Sequence, residues 1–348
     1  DEEQAPAGGD SGGAAATKDV TLLLSFPKAI AWLPLLVAED QGYFEEEGLN
    51  VELQETEGSG FVTQQIIAGN SEFGWAGAPS DVIAFGKDPD LRVVACNHEK
   101  NIFSINVPAG SPISDVTQLR GKRLGITTRG GGEEPMVDSV LIENDMKEDV
   151  EIVPLGDAGA AVVKAIQDGE VDAFAGGYTD IATLEAAGLD LEDITPEKYD
   201  PMPGDCMVTS KEVLSDPENQ DTAVRIIRAW AKGAFFAIAN EEAALEISCN
   251  EVPEQCTDRE RFTQPYLSAT VELLRPVDES QPPTSLDPEG WQTTADVLLA
   301  SGALDEEVDV DTLIGAPEVQ AVVDKAYADV DQVQADAESD AQAYTGGG

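Results

Sequence analysis

The chain contains the same strand-and-loop pattern twice, and the two copies lie about one hundred residues apart. Residues 66–81 read IIAGNSEFGWAGAPSD, and residues 165–180 read AIQDGEVDAFAGGYTD. In each copy a helix ends, a turn follows, and a short apolar strand runs into a loop of small residues that includes Gly77 or Gly177. This repetition predicts two lobes of similar plan within one chain.

Strands and helices alternate around both copies of the pattern. Strands are predicted at residues 20–25, 50–56, 72–77, 91–97, 122–128, 149–155 and 171–177, and helices at residues 29–48, 60–69, 81–87, 133–144 and 159–169. Such alternation is typical of a mainly parallel sheet flanked by helices. Ligands of open α/β sheets bind at the carboxyl ends of the strands. We therefore predict an α/β fold in which the matching loops of two lobes form the two sides of one cleft.

The connections between the lobes predict a two-strand hinge. Residues 93–108 carry the chain out of the first lobe, and residues 204–214 bring it back. The predicted division is a flexible N-terminal tether at 1–18, a discontinuous first lobe at 19–98 and 207–330, a second lobe at 99–206, and a flexible tail at 331–348. The helices after Asn219 are expected to pad the first lobe.

The charge balance narrows the possible partners. The chain has 68 acidic and 20 basic residues, which give a formal net charge of −48. Such a chain cannot neutralise phosphates, so nucleic acid and anionic membrane surfaces are excluded as partners. A strongly acidic, solvated surface suits a saline or alkaline exterior. No apolar run is long enough to span a bilayer.

The four cysteines are compatible with an oxidising compartment. Cys249 and Cys256 flank the polar loop NEVPEQ and could close a small ring. Cys96 and Cys206 lie in the two predicted hinge segments, so we expect a second disulfide there; the alternative is two separate buried thiols. Because His98 is the sole histidine and only one close cysteine pair exists, neither a metal site nor a cofactor is expected.

Several stretches resemble one protein family. The segment AEDQGYFEEEGLNVEL is similar to the signature after the first helix in solute-binding proteins of ABC importers, in the branch of the sulfonate, nitrate, taurine and pyrimidine-precursor binders (the NMT1/THI5-like group). The segment FSINVPAGSPISDVTQLRGKRLGIT resembles the crossing into the second lobe of that group, and AGNSEFGWAG and DGEVDAFAGG resemble its two pocket strands. The resemblance covers about residues 20–214.

The resemblance implies a type II periplasmic-binding fold and an extracytoplasmic, monomeric solute-binding protein. Such a protein closes two lobes on a small solute and delivers it to a membrane permease. The acidic, Gly/Ala-rich segment at residues 1–18 is similar to the start of a mature lipoprotein, which implies lipid-tethered membrane attachment; a leftover cloning segment before a soluble domain is the alternative. Some members of the group are enzymes that make the thiamine pyrimidine from a cofactor and one of their own histidines. A synthase of this kind is the alternative function.

Ligand-binding residues are expected at the strand ends and in the hinge. The candidates are Ser25, Phe26, Lys28, Trp32, Ser59, Trp75, Gly77, Ala78, Ser80, Asn97, His98, Thr127, Thr128, Arg129, Gly130, Gly131, Glu133, Gly177 and Tyr178.

Three of these assignments have open alternatives. The segment TTRGGGEEP, with Arg129, suits either an anion site or a structural glycine turn. Trp32 and Trp75 fit either a stacking wall or the core. His98 is either a polar hinge residue or the base of an enzyme. A planar or heteroaromatic solute is preferred, and a sulfonate or carboxylate is the next choice.

Overall fold

The predicted two-lobed α/β architecture is confirmed. A computed structural model describes residues 17–129, 131–156, 158–276, 282–283 and 286–346 of the chain. Each lobe contains a five-stranded sheet with helices on its faces. In the ranges described, no helix is both long and apolar enough to span a membrane.

The first lobe is built around the sheet of strand order β2-β1-β3-β10-β4. Its strands are β1 (Lys18–Leu24), β2 (Leu49–Glu55), β3 (Phe73–Gly77), β4 (Leu91–Cys96) and β10 (Asp205–Ser210). The helices between these strands are α1 (Leu33–Asp40), α2 (Tyr43–Glu46), α3 (Ser59–Ile67) and α4 (Ala78–Lys87). Pro34 and Pro79 lie in the first turns of α1 and α4, where a missing N–H is tolerated.

The second lobe repeats this plan with the sheet order β7-β6-β8-β5-β9. Its strands are β5 (Phe103–Pro108), β6 (Arg123–Ile126), β7 (Glu151–Pro154), β8 (Ala173–Gly177) and β9 (Leu191–Asp193), and its helices are α5 (Glu134–Glu143), α6 (Ala160–Gln167) and α7 (Tyr178–Ala186). In each sheet the first strand after a crossing, β10 or β5, is antiparallel to its neighbours. The two sheets therefore have the same topology. In each sheet, the strand that follows a crossing between the lobes lies between two other strands and runs antiparallel to both.

The C-terminal part is helical. Its helices are α8 (Lys211–Ser215), α9 (Pro217–Ala239), α10 (Glu241–Glu251), α11 (Gln264–Leu274), α12 (Pro288–Ser301), α13 (Val310–Gly315), α14 (Pro317–Ala326) and α15 (Val330–Ala343), with a π-helical turn at Arg259–Thr263 before α11. Helix α9 packs on α1 of the first lobe, as the padding role requires. Helix α12 instead packs on both α4 and α5 and so contacts both lobes, because Leu298 joins a core cluster of the first lobe and Val297 one of the second.

The expected flexible tail at 331–348 is wrong for its larger part. Helix α15 packs along α9 and buries Val333, Ala337 and Ala341. These residues are spaced by four, so they form one narrow apolar face on an otherwise acidic helix. The expected tether at 1–18 includes Lys18, which begins β1, while residues 1–16 lie outside the described part of the chain.

Both predicted disulfides are confirmed. Cys96 in β4 and Cys206 in β10 are directly opposed in the sheet, with 3.9 Å between their Cα atoms, so this bond ties the two hinge crossings together. Cys249 and Cys256 close the small ring after α10, with 5.5 Å between their Cα atoms.

Candidate functional site

A deep cleft lies between the two lobes. It has a volume of about 1020 Å³, at the upper end of the range of about 300–1,000 Å³ common for small-molecule sites. Its walls include Ser25 after β1, Gly77 at the end of β3 and Gly177 at the end of β8. The duplicated loops therefore lie on opposite sides of one cavity.

The structure places the candidate residues in three groups. The candidates that line the cleft are Ser25, Phe26, Lys28, Ser59, Gly77, Ser80, Gly131, Glu133, Gly177 and Tyr178. Those that lie outside its lining are Trp32, Trp75, Ala78, Asn97, His98, Thr127, Thr128 and Arg129. Gly130 is outside the described residues. Contact with a ligand stays a prediction for the first group.

Trp32 and Trp75 belong to the core and not to the wall of the cleft. Both are almost fully buried, and Trp75 stacks on Trp230 with 5.8 Å between ring centroids. Trp32 lies behind Phe26, whose ring it contacts face to face at 4.4 Å. Phe26 is therefore the ring that faces the cavity, and Trp32 supports it from behind.

The hinge candidates are buried behind the wall. Ala78 is fully buried, and its N–H donates to the carbonyl of Gly204 at 2.9 Å. The Asn97 amide donates to the carbonyl of Ala31 at 3.3 Å. Burial lowers the pKa of His98 to about 3, so its imidazole is neutral at neutral pH. These residues shape the hinge from inside and do not face the cavity.

In the glycine loop of the second lobe, the chain's own carboxylate accepts hydrogen bonds from Thr127. The Glu133 carboxylate accepts hydrogen bonds from the backbone N–H of Thr127 at 2.8 Å and from its hydroxyl at 2.5 Å. Arg129 does not line the cleft; its guanidinium pairs with Glu134 at 2.7 Å and donates to the carbonyl of Ile152 at 3.3 Å. The Glu133 carboxylate thus accepts the hydrogen bonds that Thr127 could otherwise donate to a bound anion. Of the two alternatives for TTRGGGEEP, these contacts favour the structural glycine turn over the anion site, and Thr127 and Thr128 do not line the cavity.

The same arrangement recurs beside Gly177. Asp180, which lines the cleft, accepts from the N–H of Gly177 at 3.0 Å and from that of Ala158 at 3.2 Å. This is a helix N-terminal capping interaction, with the carboxylate at the positive end of α7. Sequence reasoning noted Asp180 in the repeat but did not assign it this role.

The lining of the cleft is electronegative. It includes the carboxylates of Glu57, Glu133, Asp180, Asp205 and Glu254. Within the described part of the wall, Lys28 supplies the only cationic side chain, and its ammonium contacts Glu39 at 2.6 Å and Glu251 at 3.9 Å. A negatively charged solute would meet carboxylates here without an unpaired cation to offset them.

Asp205 is, with Glu133, one of two buried carboxyl groups in the described wall of the cleft. It begins β10 opposite Gly77 and lies 3.9 Å from Nδ1 of His98. Burial raises the pKa of Asp205 to about 7, and the adjacent Ser25 hydroxyl offsets part of the rise. Burial and the proximity of Asp205 also raise the pKa of Asp81 well above its usual value. Neither carboxylate oxygen of Asp81 has a hydrogen-bond partner among the described residues.

Aromatic rings line the same cleft as this carboxyl group. The rings that line the cleft are Phe26, Phe61, Phe103, Tyr178, Phe262 and Tyr266. Tyr266 lies 5.9 Å from Tyr178 and 5.3 Å from Phe262, measured between ring centroids. Flat apolar walls with a few polar groups are suited to a planar solute.

Sequence reasoning missed Asp205, Phe262 and Tyr266. Asp205 precedes Cys206, so the disulfide prediction indicated its strand, but the register that places it beside Gly77 is a tertiary feature. Phe262 and Tyr266 come from the C-terminal part, which was expected only to pad the first lobe. No motif in the sequence marks them as residues of the cleft.

Several known proteins are similar to this chain. The riboflavin-binding protein RibY of Chloroflexus aurantiacus is 21% identical over 297 residues, 84% of each chain. A 4-amino-5-hydroxymethyl-2-methylpyrimidine phosphate synthase of Saccharomyces cerevisiae is 27% identical over 162 residues, 46% of each chain. The periplasmic aliphatic sulphonate-binding protein SsuA from Escherichia coli has a similar fold, with a TM-score of 0.66, 15% identity, and coverage of 85% of this chain and 91% of its own.

A family model identifies the family of this chain. The model described as NMT1/THI5 like matches residues 30–244, which include the hinge, the whole second sheet and every strand of the first sheet except β1. The likeness to SsuA supports the two-lobed fold of that family. The chain therefore belongs to the NMT1/THI5-like family.

Proposed function

We propose that this protein is the extracytoplasmic solute-binding protein of an ABC importer, and that its solute is a planar heteroaromatic molecule that is neutral or cationic and carries N–H groups. The observation that carries the ligand class is the buried carboxyl group of Asp205 in a cleft lined by aromatic rings. A protonated Asp205 can exchange hydrogen bonds with a neutral heterocycle, and an ionised one can bind a cationic ring edge. The solute supplies the contacts that stabilise the closed lobes.

The anionic class is disfavoured by the same wall. A sulfonate or carboxylate is bound best by an unpaired cation, and Lys28, the one cationic side chain of the described lining, is already paired with Glu39. SsuA is named for sulphonates, whereas RibY is named for riboflavin, which is a planar nitrogen heterocycle. The acidic aromatic cleft of this chain suits the second kind of solute.

The synthase alternative has less support. The matching synthase shares only 46% of this chain, and an enzymatic role of that kind requires a reactive histidine. His98 is 1% exposed and does not line the cleft. The proposal is therefore a binding role without turnover.

The proposal also includes the location and the oligomeric state of the protein. Two disulfides suit an oxidising exterior, and a lipid-tethered monomer in a saline or alkaline medium would present the cleft to the solute and the permease. Light scattering on purified protein checks the monomer.

A thermal-shift screen tests the function. Riboflavin and 4-amino-5-hydroxymethyl-2-methylpyrimidine represent the favoured class, taurine and aliphatic sulfonates the disfavoured one, and benzamidine and benzenesulfonate form a pair with the same ring and opposite charge. A ligand at a hundred times its dissociation constant stabilises the protein by about 2.7 kcal/mol. We expect stabilisation by members of the first class and by benzamidine, with the ligand recovered unchanged. Stabilisation by sulfonates alone would contradict the ligand class, and ligand turnover would contradict the binding role.

A further inference from the structure

The ring closed by Cys249 and Cys256 contributes directly to the wall of the cleft. Its last turn, Pro253–Cys256, carries Glu254 and Gln255, and both line the cavity. The disulfide ties this turn back to the end of α10. The Cys249–Cys256 disulfide therefore positions part of the cleft wall, in addition to any effect on stability.

Gln255 connects the ring to two other parts of the wall. Its side-chain oxygen accepts the backbone N–H of Ile30 at 2.8 Å, directly after the loop that carries Lys28. Its backbone carbonyl accepts the hydroxyl of Thr263 at 2.7 Å, next to the cleft-lining Phe262. The position of the ring is thus coupled both to the first-lobe loop and to an aromatic wall.

The ring also sets the charge near Lys28. Glu251, inside the ring, lies 3.9 Å from the Lys28 ammonium and supplies its second carboxylate partner after Glu39. Glu254 adds a further carboxylate to the lining. Without these two groups the cleft would keep a cation with one fewer partner and would carry less negative charge.

We propose that the disulfide-closed ring of residues 249–256 is a specificity element of the cleft: it fixes Gln255 against both walls and holds Glu251 and Glu254 where they disfavour anionic solutes. This inference rests on the proposed solute-binding function. It assigns the discrimination between cations and anions to one loop, so removal of the loop's charges shifts the preference toward anions whichever solute the native cleft prefers.

The charge arm of the test uses a double variant, Glu251→Gln with Glu254→Gln, and calorimetric titration of benzamidine and benzenesulfonate at pH 8. We expect the ratio of the benzenesulfonate to the benzamidine dissociation constant to fall about fivefold, as for the loss of nearby partly solvated charges. The matched control is Glu242→Gln with Glu307→Gln, which removes the same charge from exposed surface outside the cleft and should leave the ratio unchanged. An unchanged ratio in the double variant, or an equal shift in the control, would overturn the proposal.

The ring arm uses Cys249→Ser with Cys256→Ser. Cys96 is 1% exposed and Cys206 is fully buried, so the hinge disulfide stays as an internal control. We expect benzamidine binding to weaken severalfold at a temperature well below the melting transition, and Gln255→Ala with the disulfide intact to show the same trend. Wild-type affinity in both variants would overturn the bracing role. A wild-type preference for benzenesulfonate would instead overturn the proposed ligand class, and the ratio measurement would still test the ring.

Discussion

At the scale of single residues, the cleft combines a buried carboxyl group, aromatic rings and one lysine that is already paired with a carboxylate. Asp205 and Asp81 are both buried, and the pKa of each is raised by that burial. A buried carboxyl group is costly to ionise unless a donor or cation approaches it. A solute that brings N–H groups or positive charge to Asp205 removes part of this cost, and this is the physical basis of the proposed selectivity.

Asp205 predicts a pH dependence of binding. Because its pKa is raised to about 7, we expect the affinity for benzamidine, which stays charged, to rise between pH 6 and pH 8 and to change by up to about tenfold per pH unit below 7. Asp205→Asn should weaken binding and flatten the profile, whereas Asp336→Asn, on exposed α15 surface, should leave it unchanged. A flat wild-type profile in calorimetric titrations would contradict the role of Asp205.

The same group makes a stability prediction of defined sign. Between the ordinary value of 3.8 and about 7, the folded protein keeps a proton on Asp205 that the unfolded chain has lost. The contribution of Asp205 to the free energy of unfolding therefore falls as the pH rises through this range. In urea titrations, Asp205→Asn should reduce this fall in the free energy of unfolding. Part of the fall should remain in the variant, because the pKa of Asp81 is also raised.

About half of the site residues that the sequence predicted line the cleft, because the sequence indicated where the strands end but not how the two lobes face each other. Ser25, Gly77, Gly177 and Tyr178 follow strands and line the cavity as expected. Arg129 also follows a strand, yet it pairs with Glu134 and does not line the cleft. Such competition among neighbouring charges depends on side-chain geometry that no spacing in the sequence records.

At the scale of elements, strongly periodic segments were predictable and weakly apolar ones were not. The duplicated strands form as expected, because buried parallel strands show continuous apolar runs. The single helix expected at 29–48 is instead divided into α1 and α2, since Gly42 between them has a left-handed backbone conformation with φ of 73°. Helix α15 was mistaken for a tail because alanines supply most of its apolar face. Helix α12 contacts both lobes because it packs on α4 and α5, and the apolar pattern of α12 alone does not indicate these two neighbours.

Helix α15 gives a test with a matched pair. Ala337 is fully buried against the rest of the protein, and Ala335 is exposed on the same helix. We expect Ala337→Glu to lower the free energy of unfolding by about 2–4 kcal/mol, since it buries an unpaired charge, and Ala335→Glu to change it by less than about 0.5 kcal/mol. Urea unfolding measures both. Equal stability of the two variants would show that this segment is a flexible tail after all.

At the scale of the whole molecule, the acidic surface and the closing cleft act together. Repulsion among the charges behind the net −48 opposes the compact state, and salt screens it, with a Debye length falling from about 10 Å at 0.1 M to about 3 Å at 1 M. Tyr178 of the second lobe approaches Thr270 of α11, with 3.3 Å between the hydroxyl oxygens, so the lobes contact each other at one end of the cleft. The acidic lobes meet across this contact.

Salt should therefore stabilise the protein. We expect the melting temperature to rise by at least about 5 °C between 0.1 M and 1 M NaCl, because screening reduces the self-repulsion of the folded state. Sucrose at the same osmolality, which does not screen charge, should produce a smaller rise. Calorimetry at constant pH provides the measurement, and a constant or falling melting temperature with NaCl would contradict the account.

The most direct test is a crystal structure of the complex with the tightest-binding planar, N–H-bearing ligand from the thermal-shift screen. The account predicts that its ring lies between the two lobes beside Phe26 and Tyr178, with an N–H group within hydrogen-bond distance of the Asp205 carboxylate. A ligand bound through an anionic group near Arg129, or one in contact with a single lobe only, would contradict it.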